Sequence, residues 1–378
     1  MAALTEEQTL LKDQVSAWVR EQSPVVKFRE MRDSGVEQAF APTIWPTMVE
    51  MGWTGILVPE QYGGSDLGYL TFGVVLEELG KQLVASPLFA SALVGASALL
   101  LGGNDAQKKK YLPAIVDGSE IVTLAVDEGP RHAPARSALQ AKKTAGGFSL
   151  SGAKTFVPEG MAATTFVVAA RTRGAAGDTD GITLFLVPAK AKGLSRRRLN
   201  TFDSRGYANV EFANVEVEAS AVLDTVDNGY ALLDGILDRA RAGLGAEMLG
   251  TAAQAFDMTL SYLKTRVQFG KVIGSFQSLG HRAAMLFTSM ELARSCAEGA
   301  LQALDAKADN AAELCSLSKS KVGDFLHEMS NQLIQIHGGI GMTDEFDAGF
   351  YLKRARALEA LYGNQAFHRD RFARLLGF

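Results

Sequence analysis

The chain has 378 residues, 47% hydrophobic and 21% charged, with a formal net charge of −4. That length exceeds one ordinary domain and predicts two or three subdomains, while the slight acidity gives no electrostatic reason to expect nucleic acid. No apolar run reaches membrane-spanning length, and Cys296 and Cys315 are too few for a disulfide framework or a zinc site, so we expect no metal and a reducing cytoplasm.

Met1 to Gln8 lacks the charged and apolar regions of a secretory leader, and Thr5 with Gln8 reads as a capping box opening the first helix. From there to Pro113 apolar residues recur at helical spacing, punctuated by Gly63-Gly64 and Gly102-Gly103, which predicts a helical domain over 1–113. Lys108-Lys109-Lys110 reads as a solvated helix C-terminus that complements the helix dipole. Over 114–225 the pattern shortens to runs such as Thr165 to Ala170 and Ile182 to Val187, separated by the turn-rich Arg173 to Asp178, which predicts a β-domain. Arg196-Arg197-Arg198 reads as an exposed strand end. Over 226–378 long amphipathic helices return, and Tyr230 to Val267 is one nearly unbroken helical pattern without proline.

Two segments carry chemistry. In Arg266-Val267-Gln268-Phe269-Gly270-Lys271-Val272-Ile273-Gly274-Ser275-Phe276-Gln277, the Arg266 guanidinium is a permanent planar fork suited to phosphate oxygens, and Gln268 and Gln277 each donate and accept. In Gln335-Ile336-His337-Gly338-Gly339-Ile340-Gly341, the glycines let backbone approach a phosphate or ribose closely. Three glycines after a helix, by themselves, more often form a C-cap with a turn; the pairing with the Arg266 segment reverses that reading toward a ligand.

Both segments resemble the acyl-CoA dehydrogenases. The first is similar to the stretch with which that family grips a flavin dinucleotide, the second to the one that binds the adenylate half of a neighbouring subunit's flavin. Gly52 to Gly64 and Gln107 to Pro113 are similar to further family segments, and the helical–β–helical order matches the family layout over the whole length. The resemblance implies an α+β fold with an N-terminal all-α domain, a middle β-barrel-like domain and a C-terminal four-helix bundle. It implies FAD held by Arg266, Gln268, Phe269, Ile273, Phe276, Gln277, Gln335, Gly338 and Gly339, an acyl-CoA substrate contacted at its CoA moiety by Asp238 and Arg241, and an electron-transfer flavoprotein as acceptor. It also implies a homotetramer or an α2β2 heterotetramer. Asp238 and Arg241 read equally as an intrahelical pair.

The implied reaction takes a proton from Cα of the thioester and a hydride from Cβ, and needs one base within reach of Cα. The family's two usual glutamate positions read here Gly363, in Tyr362-Gly363-Asn364, and Ala240, before Arg241. Glu247, in Gly243-Leu244-Gly245-Ala246-Glu247-Met248, is the candidate replacement: it lies seven residues from Ala240 and so projects from nearly the same helix face. The alternative is a glutamate that pairs with a neighbouring subunit or reaches water past small residues. Glu359 follows helical spacing and reads as solvent-facing. A bacterial branch of the family, acting on bulky, steroid-side-chain-like acyl groups, resembles this chain in its Ala246-Glu247 pair and in Gly363-Asn364 followed by His368-Arg369.

The β-domain departs from the family pattern. Asp127-Glu128-Gly129 stands where a Thr-Glu-Pro is usual, and Phe156-Val157-Pro158 where a Trp-x-Ser/Thr is usual. Pro158 offers neither hydroxyl nor N–H to a flavin edge; Phe156 could stack on the ring or equally fill a core. A second reading is therefore a non-catalytic partner subunit that completes another chain's flavin site.

Overall fold

The computed structural model describes residues 4–378, so Met1 to Ala3 of the N-terminal reading lie outside it. In chain order the helices are α1 (Glu6–Gln22), α2 (Val25–Ser34), α3 (Ile44–Glu50), α4 (Gly68–Lys81), α5 (Ala96–Gly102), α6 (Asp105–Val116), α7 (Tyr230–Thr265), α8 (Gln277–Asp305), α9 (Ala311–His337), α10 (Ala348–Ala360) and α11 (Gln365–Leu375). The strands are β1 (Val122–Ala125), β2 (Gln140–Lys143), β3 (Gly147–Val157), β4 (Thr165–Arg171), β5 (Ile182–Pro188), β6 (Leu194–Arg198), β7 (Ala208–Glu218), β8 (Val222–Leu223), β9 (Val267–Gln268) and β10 (Lys271–Val272). The helical–β–helical order expected from the spacing of apolar residues is the observed one, and among the described residues no helix is long and apolar enough to cross a membrane. The chain's contacts gather it into two units, one of residues up to 29, 69–84 and 241–378, the other of 30–68 and 85–240.

The first unit is helical. Its entrance is the expected capping box, with Thr5 Oγ1 accepting from the Gln8 N–H and Gln8 Oε1 from the Thr5 N–H. Small residues let α4 and α7 touch backbone to backbone: a Cβ added at Gly250 would lie 1.9 Å from Glu77 O, and one at Gly80 would lie 2.4 Å from Glu247 O. Charge secures the same region. Arg294 of α8 bonds Glu77 at 2.7 Å, and Asp305 accepts the Tyr69 and Leu70 N–H groups, placing a carboxylate on the α4 N-terminus. Cys296 and Cys315, on α8 and α9, form no disulfide.

The second unit holds a mixed sheet in the order β6-β7-β3-β2-β4-β5-β8, with β1 pairing parallel to β4. All seven residues of β4 are buried, which is why its apolar run does not alternate. Phe166, Val168, Phe185, Val187 and Phe212 fill the sheet's core, where Phe148 meets Phe185 edge to face. Buried charges brace it. The Lys154 ammonium donates to Glu128, Ser137 and the Val126 carbonyl. Burial alone would raise the Glu128 carboxyl, but Lys154 at 2.6 Å and the Ala138 and Leu139 amides hold it below its ordinary value.

Two expectations change here. The lysine run lies in the first half of α6, six residues short of its end, because the helix continues through Pro113 to Val116; position 113 is therefore inside a helix. Arg196 is no simple exposed strand end, since its guanidinium gathers the Gly160, Met161 and Ala163 carbonyls and fixes that turn.

Candidate active site

Glu247 sits in the middle of α7 with its backbone locked against α4. Thr251 Oγ1 bonds both Glu247 O and Gly80 O, and Gly80 is the only residue type that leaves room for that carbonyl. The side chain is buried, at 7% exposure. Arg354 of α10 pairs with it, Nε and Nη2 donating to Glu247 Oε1 at 3.1 and 2.6 Å. Arg354 is itself 8% exposed.

Tertiary contacts fix α10 on both sides of Arg354. Tyr351 donates its hydroxyl to Lys81 O at 2.7 Å, and burial with Asp347 nearby raises its phenol well above the usual range. On the other side the fully buried Lys319 ammonium, from α9, donates to the Leu358, Glu359 and Gly363 carbonyls at 2.9, 3.1 and 3.0 Å. Burial pushes Lys319 down to about 7, against the pull of Glu359 and with the push of Arg241. Glu359 does not face solvent as its spacing suggested; it is 9% exposed and accepts from His327, Arg356 and Gln365.

Lys319 thereby holds the turn where the family's late glutamate would stand. Gly363 has φ 106°, and a Cβ there would lie 2.5 Å from the Phe367 ring, so this position cannot carry a glutamate without rebuilding the turn. Arg241, wholly buried, places its guanidinium over the Phe367 ring at 5.6 Å, and Asp238, three residues before it on α7, is 6% exposed.

The Arg266 segment forms a hairpin between α7 and α8. Phe269 and Gly270 are its two-residue turn, both at positive φ (52° and 77°), the combination of a type I′ connection. Phenylalanine is costly in that conformation, and this one is 88% exposed. Ile273 N–H closes the hairpin on Arg266 O, Lys271 lies over the Phe276 ring at 4.3 Å, and Gln277 begins α8. Arg266, Gln268 and Gln277 are exposed.

The glycine segment lies at the same end of the bundle, since the Tyr262 ring of α7 packs tilted against His337 with centroids 4.3 Å apart, and His337 likewise against Phe346 at 4.7 Å. His337 donates Nδ1–H to Leu333 O, while burial lowers its pKa. Gly338 ends α9 at φ 61°, which satisfies the C-cap reading. Gly338 and Gly339 also present open backbone, with nothing within 4 Å of an added Cβ, and Gln335 beside them is exposed. A permanently charged fork and two open glycines at one end of a bundle suit a pyrophosphate and its nucleotide.

In the second unit, Phe156 at φ 53° stacks flat on Tyr207, centroids 4.0 Å apart and planes within 8°. One face of the ring expected to meet a flavin is thus occupied by a residue whose role was not legible in the sequence. Nearby Asp127 bonds His132 at 2.9 Å, and Pro158 O accepts from Thr123.

The family models for the acyl-CoA dehydrogenase N-terminal, middle and C-terminal domains match residues 5–119, 129–219 and 227–377. Mitochondrial isovaleryl-CoA dehydrogenase of Solanum tuberosum is 32% identical, with 86% of this chain and 80% of that one covered. The chain belongs to the acyl-CoA dehydrogenase family. Among solved structures, the Tcur3481-Tcur3483 steroid ACAD variant superposes with a TM-score of 0.89 at 28% identity, covering 98% of each chain. The ChsE4-ChsE5 complex from Mycobacterium tuberculosis superposes with a TM-score of 0.88 at 27% identity, covering 100% of this chain and 99% of that one. The family is one of FAD flavoproteins acting on the CH–CH bond of acyl-CoA thioesters, and membership speaks for the enzyme rather than for the non-catalytic subunit.

Arg354 and Lys319, which sequence reasoning missed, left one signal. Tyr351, Arg354, Ala355 and Leu358 fall on one helical stripe, and a charge on an otherwise apolar stripe must find a buried partner.

Proposed function

We propose that this chain dehydrogenates a bulky acyl-CoA thioester between Cα and Cβ, with Glu247 as the base. Glu247 Oε takes the Cα proton, the Cα–H electron pair becomes the new Cα=Cβ bond, and a hydride leaves Cβ. FAD, when bound, accepts that hydride. Arg266, Gln268, Gln277 and the backbone of Gly338 and Gly339 would hold its nucleotide half, with Phe269, Ile273, Phe276 and Gln335 shaping the same surface. The observation that carries the base assignment is a buried carboxylate in mid-α7, where the turn at Gly363 excludes the late family glutamate and Ala240 replaces the early one. The bulky acyl class rests on the likeness to the steroid-type structures.

The nucleotide grip calls for a second subunit. Phe269, Val267 and Met342 are 88, 54 and 77% exposed, and Met285 and Leu292, one heptad apart on α8, are 66 and 64% exposed. We assign these surfaces to a tetramer, homomeric or α2β2, with electrons leaving to an electron-transfer flavoprotein.

Rapid mixing of Glu247→Gln holoprotein with an acyl-CoA tests the base. Positioned general-base catalysis contributes about 10²–10⁴-fold, and flavin reduction should slow by that much with FAD content unchanged. Reduction at the wild-type rate would remove Glu247 from the mechanism.

A further inference from the structure

The structure assigns Arg354 as the positioning residue of the base, an assignment that rests on Glu247 taking the Cα proton. Two donors of one guanidinium, Nε and Nη2, converge on a single carboxylate oxygen, Glu247 Oε1. Two N–H groups of one rigid planar fork on Oε1 fix where that oxygen stands relative to α10, which a single ammonium does less well, because its charge is a point and its donors rotate.

Both ends of the contact are anchored independently. On α7, Thr251 and Gly80 fix the Glu247 backbone. On α10, Tyr351 is tied to Lys81 O three residues before Arg354, and Leu358 is tied to Lys319 four residues after it. These three α10 residues share one face, so Arg354 sits between two fixed points. With helix backbones held in this way, the guanidinium holds Glu247 Oε1 in a set place.

A side chain that acts through the base has a kinetic signature that a merely structural one lacks: its removal matters only while the base is present. The test is a double-mutant cycle on holoprotein, Glu247→Gln, Arg354→Gln and both together, read as the limiting rate of flavin reduction by acyl-CoA. Acyl-CoA affinity is measured separately from the spectral shift on titration. Displacing a catalytic group by about an ångström costs on the order of 10²-fold, so Arg354→Gln should slow reduction by about that factor with acyl-CoA affinity little changed. In the Glu247→Gln background, the same substitution should slow reduction no further. Arg354→Lys, which keeps the charge but loses the fork, should recover only part of the rate, and it carries the cycle if Arg354→Gln does not fold.

An equal loss in both backgrounds would overturn the assignment and make Arg354 structural, as would a wild-type rate for Arg354→Gln. A wild-type rate for Glu247→Gln would instead sink the base itself, so the two failures are distinguishable.

Discussion

Lys319 gives the sharpest test of the charge cluster around the α10–α11 turn. Its ammonium is fully buried and drops from an ordinary 10.5 to about 7, because burial, with the push of Arg241, outweighs the pull of Glu359. The sign follows from proton counting. Below about 7 folded and unfolded chains both hold the proton and the full penalty of burying charge is present. Between there and 10.5 the unfolded chain holds more protons than the folded one, so stability rises with pH. At 1.36 kcal/mol per unit, and allowing for half-titration at the start, the group should add about 2 kcal/mol of stability between about pH 7 and about pH 9.

Lys319→Met removes the titration while keeping most of the volume. At any pH it also strips the Leu358, Glu359 and Gly363 carbonyls of their donor, which costs about 1–3 kcal/mol for each group left unpaired. The starting gap between the two proteins therefore mixes two effects, whereas its change with pH isolates one. Urea unfolding of both proteins at equal concentration, so that subunit association cancels, should show the wild-type advantage growing by about 2 kcal/mol from neutral to alkaline pH. A gap that stays constant, or shrinks, would refute a Lys319 depressed by burial.

Two further outcomes follow from named contacts. Arg266→Ala removes a charged hydrogen bond to phosphate worth about 1.5–3 kcal/mol, so FAD should be lost on gel filtration; a full flavin spectrum afterwards would refute the assignment. Gly250→Ala would put a Cβ 1.9 Å from Glu77 O, and forcing α4 from α7 should cost about 1–3 kcal/mol or more; a thermal midpoint equal to wild type would show that the two backbones do not touch.

Local patterns along the chain were enough for the order of elements. Apolar spacing of 3.6 placed α7 over Tyr230 to Thr265, within two residues of the expected end at Val267, because a helix without proline is set by its own periodicity. The Thr5–Gln8 cap formed as written, since both partners lie within one turn. The Arg266 and glycine segments were legible because dinucleotide recognition needs residue types that stay recognisable outside any fold: a permanent planar cation and positions without a Cβ.

What the sequence could not determine was which distant side chains share a buried space. Residues 247 and 354 are 107 positions apart, and nothing in either neighbourhood names the other. Tyr207 lies far along the chain from Phe156, yet the fold stacks the two rings at 4.0 Å. Glu359 has the spacing of a surface residue, and only the approach of α9 and α11 buries it. The physical reason is common to all three: helical and strand periods report which face of an element is apolar, whereas the pairing of buried charges and rings depends on how faces from remote segments meet, and that is decided only when the core closes.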